Sequence, residues 1–185
     1  MGWPAISSVE AVFDASDANV KFNLVDKVEH LSSERIVTVK YVSLAEEYLA
    51  DHFPTFPVLP GVMMLESAVQ AATWLIHHRN AFAKSVAVLK EAKNVKYGTF
   101  VAPGNALRME VDWLKPTDAG GSFKATGSVV NAAWASSQAV QMRLELAYFN
   151  LADKNPELAE LDSRLTEHNR RRWELLALVV DKGLG

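Results

Sequence analysis

A long apolar segment beginning at Gly61 is the feature that most restricts how this chain can fold. The segment, GVMMLESAVQAATWLIHH, contains no glycine or proline after its first residue, and it ends in His77 and His78. Histidines suit a helix C-terminus, where we expect both to face water. Because the segment is apolar nearly all round, it predicts a fully buried helix rather than a surface amphipathic one.

Strand signals lie on both sides of this helix. They alternate, are rich in β-branched residues and are separated by turn residues. The predicted strands are a pair within residues 22–44 around a turn at 32–34, followed by segments 86–101, 106–116, 122–131 and 135–151. One buried helix followed by consecutive strands predicts an α+β fold in which a long antiparallel sheet curls around the helix.

A further helix is predicted near the end of the chain. Residues 155–180 begin with a cap-competent Asn155 followed by Pro156, and their leucines have partial helical spacing. The predicted helix carries Arg170, Arg171 and Arg172. These arginines are either a solvated basic face or a docking surface for an acidic partner.

Composition excludes several classes of protein. The 185 residues carry a net charge of −3, which does not favour nucleic-acid binding. There is no cysteine, which excludes disulfides, thiolate nucleophiles and cysteine-based metal sites. No segment reaches the roughly 18 uninterrupted apolar residues of a membrane span, and the first residues do not read as a secretory signal, so a cytoplasmic location is expected.

The segment HFPTFPVLPG, residues 52–61, predicts a rigid loop that carries a histidine. Prolines at every third position fix φ and remove backbone donors, so the loop holds His52 in one pose. At the end of the loop, the first amides of the helix have no intrahelical partner, and Gly61 lets a ligand approach them closely. Such amides can hold an oxygen that gains negative charge.

Glu66 is the single acid in the apolar helix. It lies about 7.5 Å along the axis from Gly61, and Gln70 shares its face one turn later. Apolar surroundings favour a protonated carboxyl that can donate, whereas a neutral histidine can accept a proton. Together, His52, Gly61 and Glu66 describe proton abstraction next to a carbonyl with protonated departure of a hydroxyl.

Other interpretations of these residues remain open. His52 could sit in a turn packed by Phe53, and Glu66 could form a structural salt bridge with a lysine or arginine. A metal site built from His52 and Glu66 has little support, because no second histidine lies at helical spacing from Glu66.

Three segments resemble the bacterial 3-hydroxyacyl-acyl-carrier-protein dehydratases in order and spacing. They are LVDKVEHL, HFPTFPVLPGVMMLESAVQ and KNVKYGTFVAPGNALRMEVDWLK, and the resemblance covers about residues 20–150. It implies the hot-dog fold, with a dehydratase-like domain at 1–152 and a C-terminal helical extension at 153–185. It also implies conversion of 3-hydroxyacyl thioesters to trans-2-enoyl thioesters in fatty-acid or related synthesis, with no metal or redox cofactor.

The resemblance implies a role for each matching residue. His52 matches the base that takes the C2 proton, and Glu66 matches the acid that protonates the leaving hydroxyl, in the dehydration-only branch of the family. Gly61 matches the amide that holds the thioester oxygen, Val58 the carbonyl that orients the imidazole, and Gln70 the partner of the acid.

The family also implies partners. They are an acidic acyl carrier protein that bears the substrate, and a second copy of the chain, because base and acid come from two subunits. Separately from the resemblance, Arg170, Arg171 and Arg172 of the predicted C-terminal helix are candidates for docking such a carrier. The homodimer would be able to assemble further into a trimer of dimers. No nucleic-acid or membrane partner is implied.

Two positions depart from the family pattern. Asp51 and Thr55 stand where the family has glycines, on either side of the His-Phe-Pro element. Both add Cβ atoms to the loop, and a carboxylate beside His52 would weaken a neutral base. These departures leave a non-catalytic acyl-binding or partner subunit as one alternative. A second alternative, with less support, is an acyl thioesterase, which shares the fold.

Overall fold

One six-stranded antiparallel sheet forms the frame of the protein, in the order β1-β2-β4-β5-β6-β3. The computed structural model describes residues 22–51, 55–131 and 136–177. The strands are β1 (Lys27–Leu31), β2 (Arg35–Tyr41), β3 (Val86–Tyr97), β4 (Ala106–Thr117), β5 (Gly120–Val130) and β6 (Ser136–Phe149). The helices are α1 (Tyr48–Asp51), α2 (Gly61–Arg79) and α3 (Ala159–Ala177), with 3-10 turns at Leu151–Asp153 and Pro156–Leu158.

All six predicted strands are confirmed, and β4 and β5 form a long antiparallel hairpin. Strands β4 and β5 meet at a two-residue turn, and Gly120 already pairs with Thr117 as part of β5. Gly120 has φ +133°, and a Cβ built there would lie 2.0 Å from the carbonyl oxygen of Leu146 on β6. Glycine is required here because the neighbouring backbone approaches so closely.

Helix α2 packs across the concave face of the sheet, and its buried side builds the core. Met64, Trp74 and Leu75 are buried among side chains from β2, β4, β5 and β6. The prediction of a fully buried helix is wrong for one stripe, since Val62 is 68% exposed and Glu66 is only half-buried. The sheet of one chain covers one side of this helix and leaves that stripe uncovered.

The prediction that His77 faces water is also wrong. Its side chain is 2% exposed, stacked on Phe82 at 5.5 Å between ring centroids and edge-on to Tyr148 at 5.5 Å. Burial lowers the pKa of His77 to about 4, so the ring is neutral at pH 7. The chain turns sharply after α2, through Ala81 and Phe82 at positive φ, and this turn folds Phe82 back over the histidine. His78, in contrast, is exposed as predicted.

The predicted C-terminal helix is α3, and it packs against the C-terminal half of α2. Trp173 lies 5.7 Å from Trp74 between ring centroids, and Leu176 joins the core. At the other end of α3, the buried Asp162 accepts hydrogen bonds from the amides of Leu151 and Ala152. The helix is thereby held at one end by α2 and at the other by the 3-10 turn that follows β6. Residues 178–185, into which the predicted helix extended, lie outside the described residues.

Within the described residues, no helix is long and apolar enough to span a membrane.

Candidate active site

The side chain of Glu66 lies on the uncovered stripe of α2 and is held from one side. The Gln70 side-chain amide, one turn further along, donates from Nε2 to Glu66 Oε1 at 3.1 Å. Among the described residues, this amide is the partner of Glu66, in place of the lysine or arginine of a structural salt bridge. The predicted pairing of Glu66 with Gln70 is therefore present.

Gln70 is itself fixed by the extended segment that precedes β1. Its Nε2 also donates to the carbonyl oxygen of Phe22 at 3.1 Å, and its Oε1 accepts from the amide of Leu24 at 2.9 Å. Ser67 Oγ donates to the carbonyl of Leu24 at 3.1 Å and fastens the same segment to the helix. A flipped amide would place oxygen against oxygen and nitrogen against nitrogen, so one orientation of Gln70 is enforced.

This orientation decides what Glu66 can do. Because Oε1 accepts from Gln70, the proton of an un-ionised Glu66 belongs on Oε2. A proton donated by Glu66 would therefore leave from the oxygen that Gln70 does not occupy. A donor with one fixed direction is what protonation of a leaving hydroxyl needs.

The N-terminus of α2 provides the second chemical element of the site. The first amides bonded within the helix are those of Met63 and Met64, both to the carbonyl of Pro60, at 2.9 and 3.2 Å. The amides of Gly61 and Val62 precede these bonds, and no acidic side chain occupies the first turn. Within the part of the chain that the structure describes, the amide of Gly61 has no acceptor, so it is available to an incoming oxygen at the positive end of the helix dipole.

Gly61 also lies directly against the ring of Tyr97, the last residue of β3. A Cβ at position 61 would be 2.9 Å from Tyr97 Cε1 and 3.1 Å from Cζ. The absence of a side chain at Gly61 therefore lets the edge strand approach the helix terminus. Tyr97 was not singled out from the sequence, where nothing marks a tyrosine at a strand end as part of a site.

The loop before α2 is anchored where it joins the helix. Val58 and Leu59 are buried, and the amide of Leu59 donates to the carbonyl of Val101 at 2.8 Å. His52, the predicted base, lies outside the described residues, so its role and that of the Val58 carbonyl stay predictions. Thr55 is described, and it is exposed.

A cluster of exposed apolar side chains surrounds the helix terminus. We call it the entrance patch, and it consists of Phe56, Val62, Tyr97 and Phe100. Phe56 and Phe100 pack edge-to-face at 5.6 Å between centroids. An exposed apolar cluster beside the polar groups of a candidate site favours either an acyl chain or a second protein surface.

The three arginines of α3 have different environments. Arg171 is exposed and pairs with Glu167 at 2.8 Å, and Arg170 is exposed beside Phe82. Arg172 is half-buried over the ring of Trp74 and donates to Asn23 Oδ1 at 2.9 Å. Only Arg170 and Arg171 present their charge to solvent.

Among the described residues, no group of three or more His, Cys, Asp or Glu side chains is arranged to hold a metal ion.

Comparison with known proteins places this chain in a family. The family model of the ApeI-like proteins, described as ApeI dehydratase, matches residues 25–138, which is more than half of the chain. The chain belongs to the ApeI-like dehydratase family. The match includes α2 with Gly61, Glu66 and Gln70, so the residues of the site lie inside the shared region.

Two curated relatives are 3-hydroxyacyl-[acyl-carrier-protein] dehydratases FabZ. The protein from Clostridium perfringens (strain SM101) is 34% identical over 108 residues, covering 58% of this chain and 78% of that protein. The protein from Levilactobacillus brevis is 38% identical over 106 residues, covering 57% of this chain and 72% of that protein. The predicted resemblance to this dehydratase family is confirmed.

Solved structures confirm the fold. The dehydratase heterocomplex ApeI:P from Xenorhabdus doucetiae matches with a TM-score of 0.61 at 19% identity, covering 76% of this chain and 92% of that chain. A homologue of HP0420 from Helicobacter felis matches with a TM-score of 0.52 at 10% identity, covering 72% of this chain and 84% of that chain. The predicted α+β hot-dog class is thereby confirmed.

Residues 22–24, which hold Gln70, were not predicted from the sequence to belong to the site. The groups that fix the glutamine are the backbone carbonyl of Phe22 and the backbone amide of Leu24, which any residue type would supply. The one hint in the sequence was the stretch of chain ahead of β1, whose backbone groups need hydrogen-bond partners. The partner of Arg172, Asn23, was missed for the same reason.

Proposed function

We propose that this chain removes water from 3-hydroxyacyl thioesters and releases trans-2-enoyl thioesters. The observation that carries the proposal is the Glu66 carboxyl, whose Oε1 is held by the locked amide of Gln70 so that Oε2 is left to donate. The available amide of Gly61 about 7.5 Å along the axis supports it, because it suits a thioester oxygen that gains charge.

The proposed reaction needs one base and one acid. His52 accepts the proton from C2 as the C2–H bond breaks, and the electron pair forms the C2–C3 double bond. The C3–O bond breaks as Glu66 gives its proton to the departing hydroxyl, which leaves as water. The Gly61 amide stabilises the negative charge on the thioester oxygen between these events.

We propose a carrier-protein thioester as the substrate, as the names of the curated relatives state for those proteins. Arg170 and Arg171 are exposed and suit an acidic carrier, with Arg172 beside them in sequence but turned inward. A cytoplasmic location accords with the absence of cysteine.

We further propose that the enzyme works as a homodimer. Among the described residues, the edge strand β3 has 12 residues and pairs with β6 alone. The α2 stripe and the entrance patch leave apolar side chains exposed beside it. An unpaired edge next to an apolar surface favours pairing with another chain. We propose that the second copy supplies the His52 that acts together with Glu66 of this chain. A trimer of such dimers is a further step of the same proposal.

Turnover with matched variants tests the proposed chemistry. The purified protein is incubated with a 3-hydroxyacyl thioester on carrier protein while the absorbance of the enoyl product is followed. We expect turnover by the wild type, and a loss of at least about 100-fold in Glu66→Gln and His52→Ala, because each removes one proton-transfer group. Glu160→Gln, an exposed acid on α3, is the control and should retain full activity. Full activity in Glu66→Gln would contradict the proposal.

A further inference from the structure

We propose that Arg172 of the C-terminal helix is a positioning residue for Glu66, acting through Asn23 and Gln70. This inference rests on the proposed function, because it assigns a role in the same site. It also separates Arg172 from its two neighbours Arg170 and Arg171, which remain candidates for carrier docking.

Hydrogen bonds connect Arg172 to Asn23 and Gln70 to Glu66, and the backbone of residues 22–24 joins the two parts. Arg172 Nη2 donates to Asn23 Oδ1 at 2.9 Å. Asn23 lies between Phe22 and Leu24, whose carbonyl and amide hold the two ends of the Gln70 side-chain amide at 3.1 and 2.9 Å. Gln70 then donates to Glu66 Oε1 at 3.1 Å.

Asn23 is the point at which this chain of contacts depends on α3. Phe22 is half-exposed, and residues 22–24 precede the first strand and have no strand partner among the described residues. Ser67 holds it at Leu24, and Arg172 holds it at Asn23. Without the arginine, the carbonyl of Phe22 loses its nearest support, and Gln70 gains freedom to rotate.

Arg172 is built into the structure in a way that suits this role. Its guanidinium lies over the ring of Trp74 at 5.7 Å, and Trp74 in turn packs on Trp173. The group is half-buried, and burial lowers its pKa from the ordinary value. A planar guanidinium held between an aromatic face and an amide oxygen has little rotational freedom, so it fixes the position of Asn23.

The test compares variants at both ends of the Arg172–Asn23 contact. Asn23→Ala removes the acceptor without disturbing the Trp74 stack, and Arg172→Ala removes the donor. We expect each to lower kcat about 3- to 10-fold with little change in KM, and the double variant to be no slower than the slower single variant, because both break one contact. Asn23→Asp keeps the acceptor and should stay within about twofold of wild type. Arg164→Ala, an exposed arginine on the same helix, is the control.

A second readout does not depend on turnover. The side-chain amide of Gln70 is followed in the 15N-labelled protein, and we expect its signals to shift and to exchange faster with water in Asn23→Ala and Arg172→Ala only. Unchanged Gln70 signals with unchanged kcat in both variants would overturn the inference. If the wild type has no dehydratase activity but the Gln70 signals respond as expected, the proposed function fails and the positioning contact stands.

Discussion

At the scale of single residues, Gly61 serves both the backbone and the proposed chemistry. Its amide is available at the start of α2, and its missing side chain leaves room for the ring of Tyr97. Alanine at this position would be favourable for a helix, yet its Cβ would lie 2.9 Å from Tyr97 Cε1. The Tyr97 ring is half-exposed and is able to move away. The added methyl group should therefore disturb the geometry of the site without lowering the stability of the fold.

We therefore predict that Gly61→Ala keeps its melting temperature and loses about tenfold or more in kcat/KM, because the Cβ stands beside the amide proposed to hold the thioester oxygen. Melting curves and steady-state kinetics measure the two effects. The double variant Gly61→Ala/Tyr97→Ala distinguishes the cause. We expect it to stay slow, and recovery of activity would mean that displacement of Tyr97, and not obstruction of the amide, slows the reaction.

His77 gives a residue-scale prediction about stability. Burial holds its pKa near 4 in the folded protein, against 6.5 for an ordinary histidine. As pH falls, His77 is protonated in the unfolded chain before it is protonated in the folded one, which favours unfolding. The free energy of unfolding is therefore unaffected by His77 above about pH 6.5 and decreases progressively as the pH falls towards 4. A shift of this size corresponds to about 3 kcal/mol when complete.

The variant His77→Phe should remove that part of the pH dependence. Phenylalanine keeps the stacking with Phe82 and Tyr148, and Nδ1 of the histidine has no hydrogen-bond partner to lose among the described residues. Urea unfolding at pH 7.5 and pH 5 gives the free energy of unfolding of both proteins. We expect the loss on acidification to be smaller in the variant, and an equal loss in both would show that His77 does not titrate on unfolding.

At the scale of elements, Asp162 ties α3 to the sheet. Its carboxylate accepts from the amides of Leu151 and Ala152 and from the hydroxyl of Ser85, which joins the end of β6 to the start of β3. We predict that Asp162→Ala lowers the free energy of unfolding by about 2–3 kcal/mol, because it leaves buried donors without an acceptor. Denaturant unfolding measures this loss. Glu160→Ala, exposed two residues earlier, should change the value by less than about 0.5 kcal/mol.

The elements themselves were largely predictable. Alternating β-branched runs and Gly-containing turns mark the strands, and the uninterrupted apolar run marks α2, because these signals act over a few neighbouring residues. The environment of an element was harder to predict. From the sequence, His77 is predicted to lie at a solvent-exposed helix end. In the structure, Phe82 from the following turn and Tyr148 from β6 pack against its ring and bury it.

The same limit applies to the candidate site. Glu66 and Gln70 could be paired from their spacing on one helix face, and Gly61 could be placed at the helix terminus. The orientation of Gln70 could not be predicted, because it depends on backbone groups of residues 22 and 24, which are 46 or more positions away in sequence.

At the scale of the whole molecule, the uncovered stripe on α2 predicts an interface between two copies. Val62 is 68% exposed at the second position of the helix, beside the open edge of β3. Glutamate there would suit the helix N-terminus and should not unfold the chain, but it would place a charge in the proposed interface. We predict that Val62→Glu shifts the protein from dimer to monomer in light scattering and lowers activity with it.

Leu175→Glu provides the matched control for this change. Leu175 is equally exposed, at 69%, but lies on α3 near the end of the described chain. We expect this variant to keep the mass of the wild-type dimer. A wild type that runs as a monomer at every concentration tested, or dimers in both variants, would contradict the homodimer.

The central claim, that Glu66 and His52 eliminate water from a carrier-bound 3-hydroxyacyl group, is tested most directly by intact mass spectrometry of the carrier. A 3-hydroxyacyl carrier protein is incubated with the enzyme, and the mass of the carrier is followed until it stops changing. We predict that part of the carrier loses the mass of one water molecule, with the acyl group still attached, and that Glu66→Gln does not produce this species. An unchanged mass would indicate a non-catalytic partner subunit, and free carrier without its acyl group would indicate hydrolysis; either result would contradict the claim.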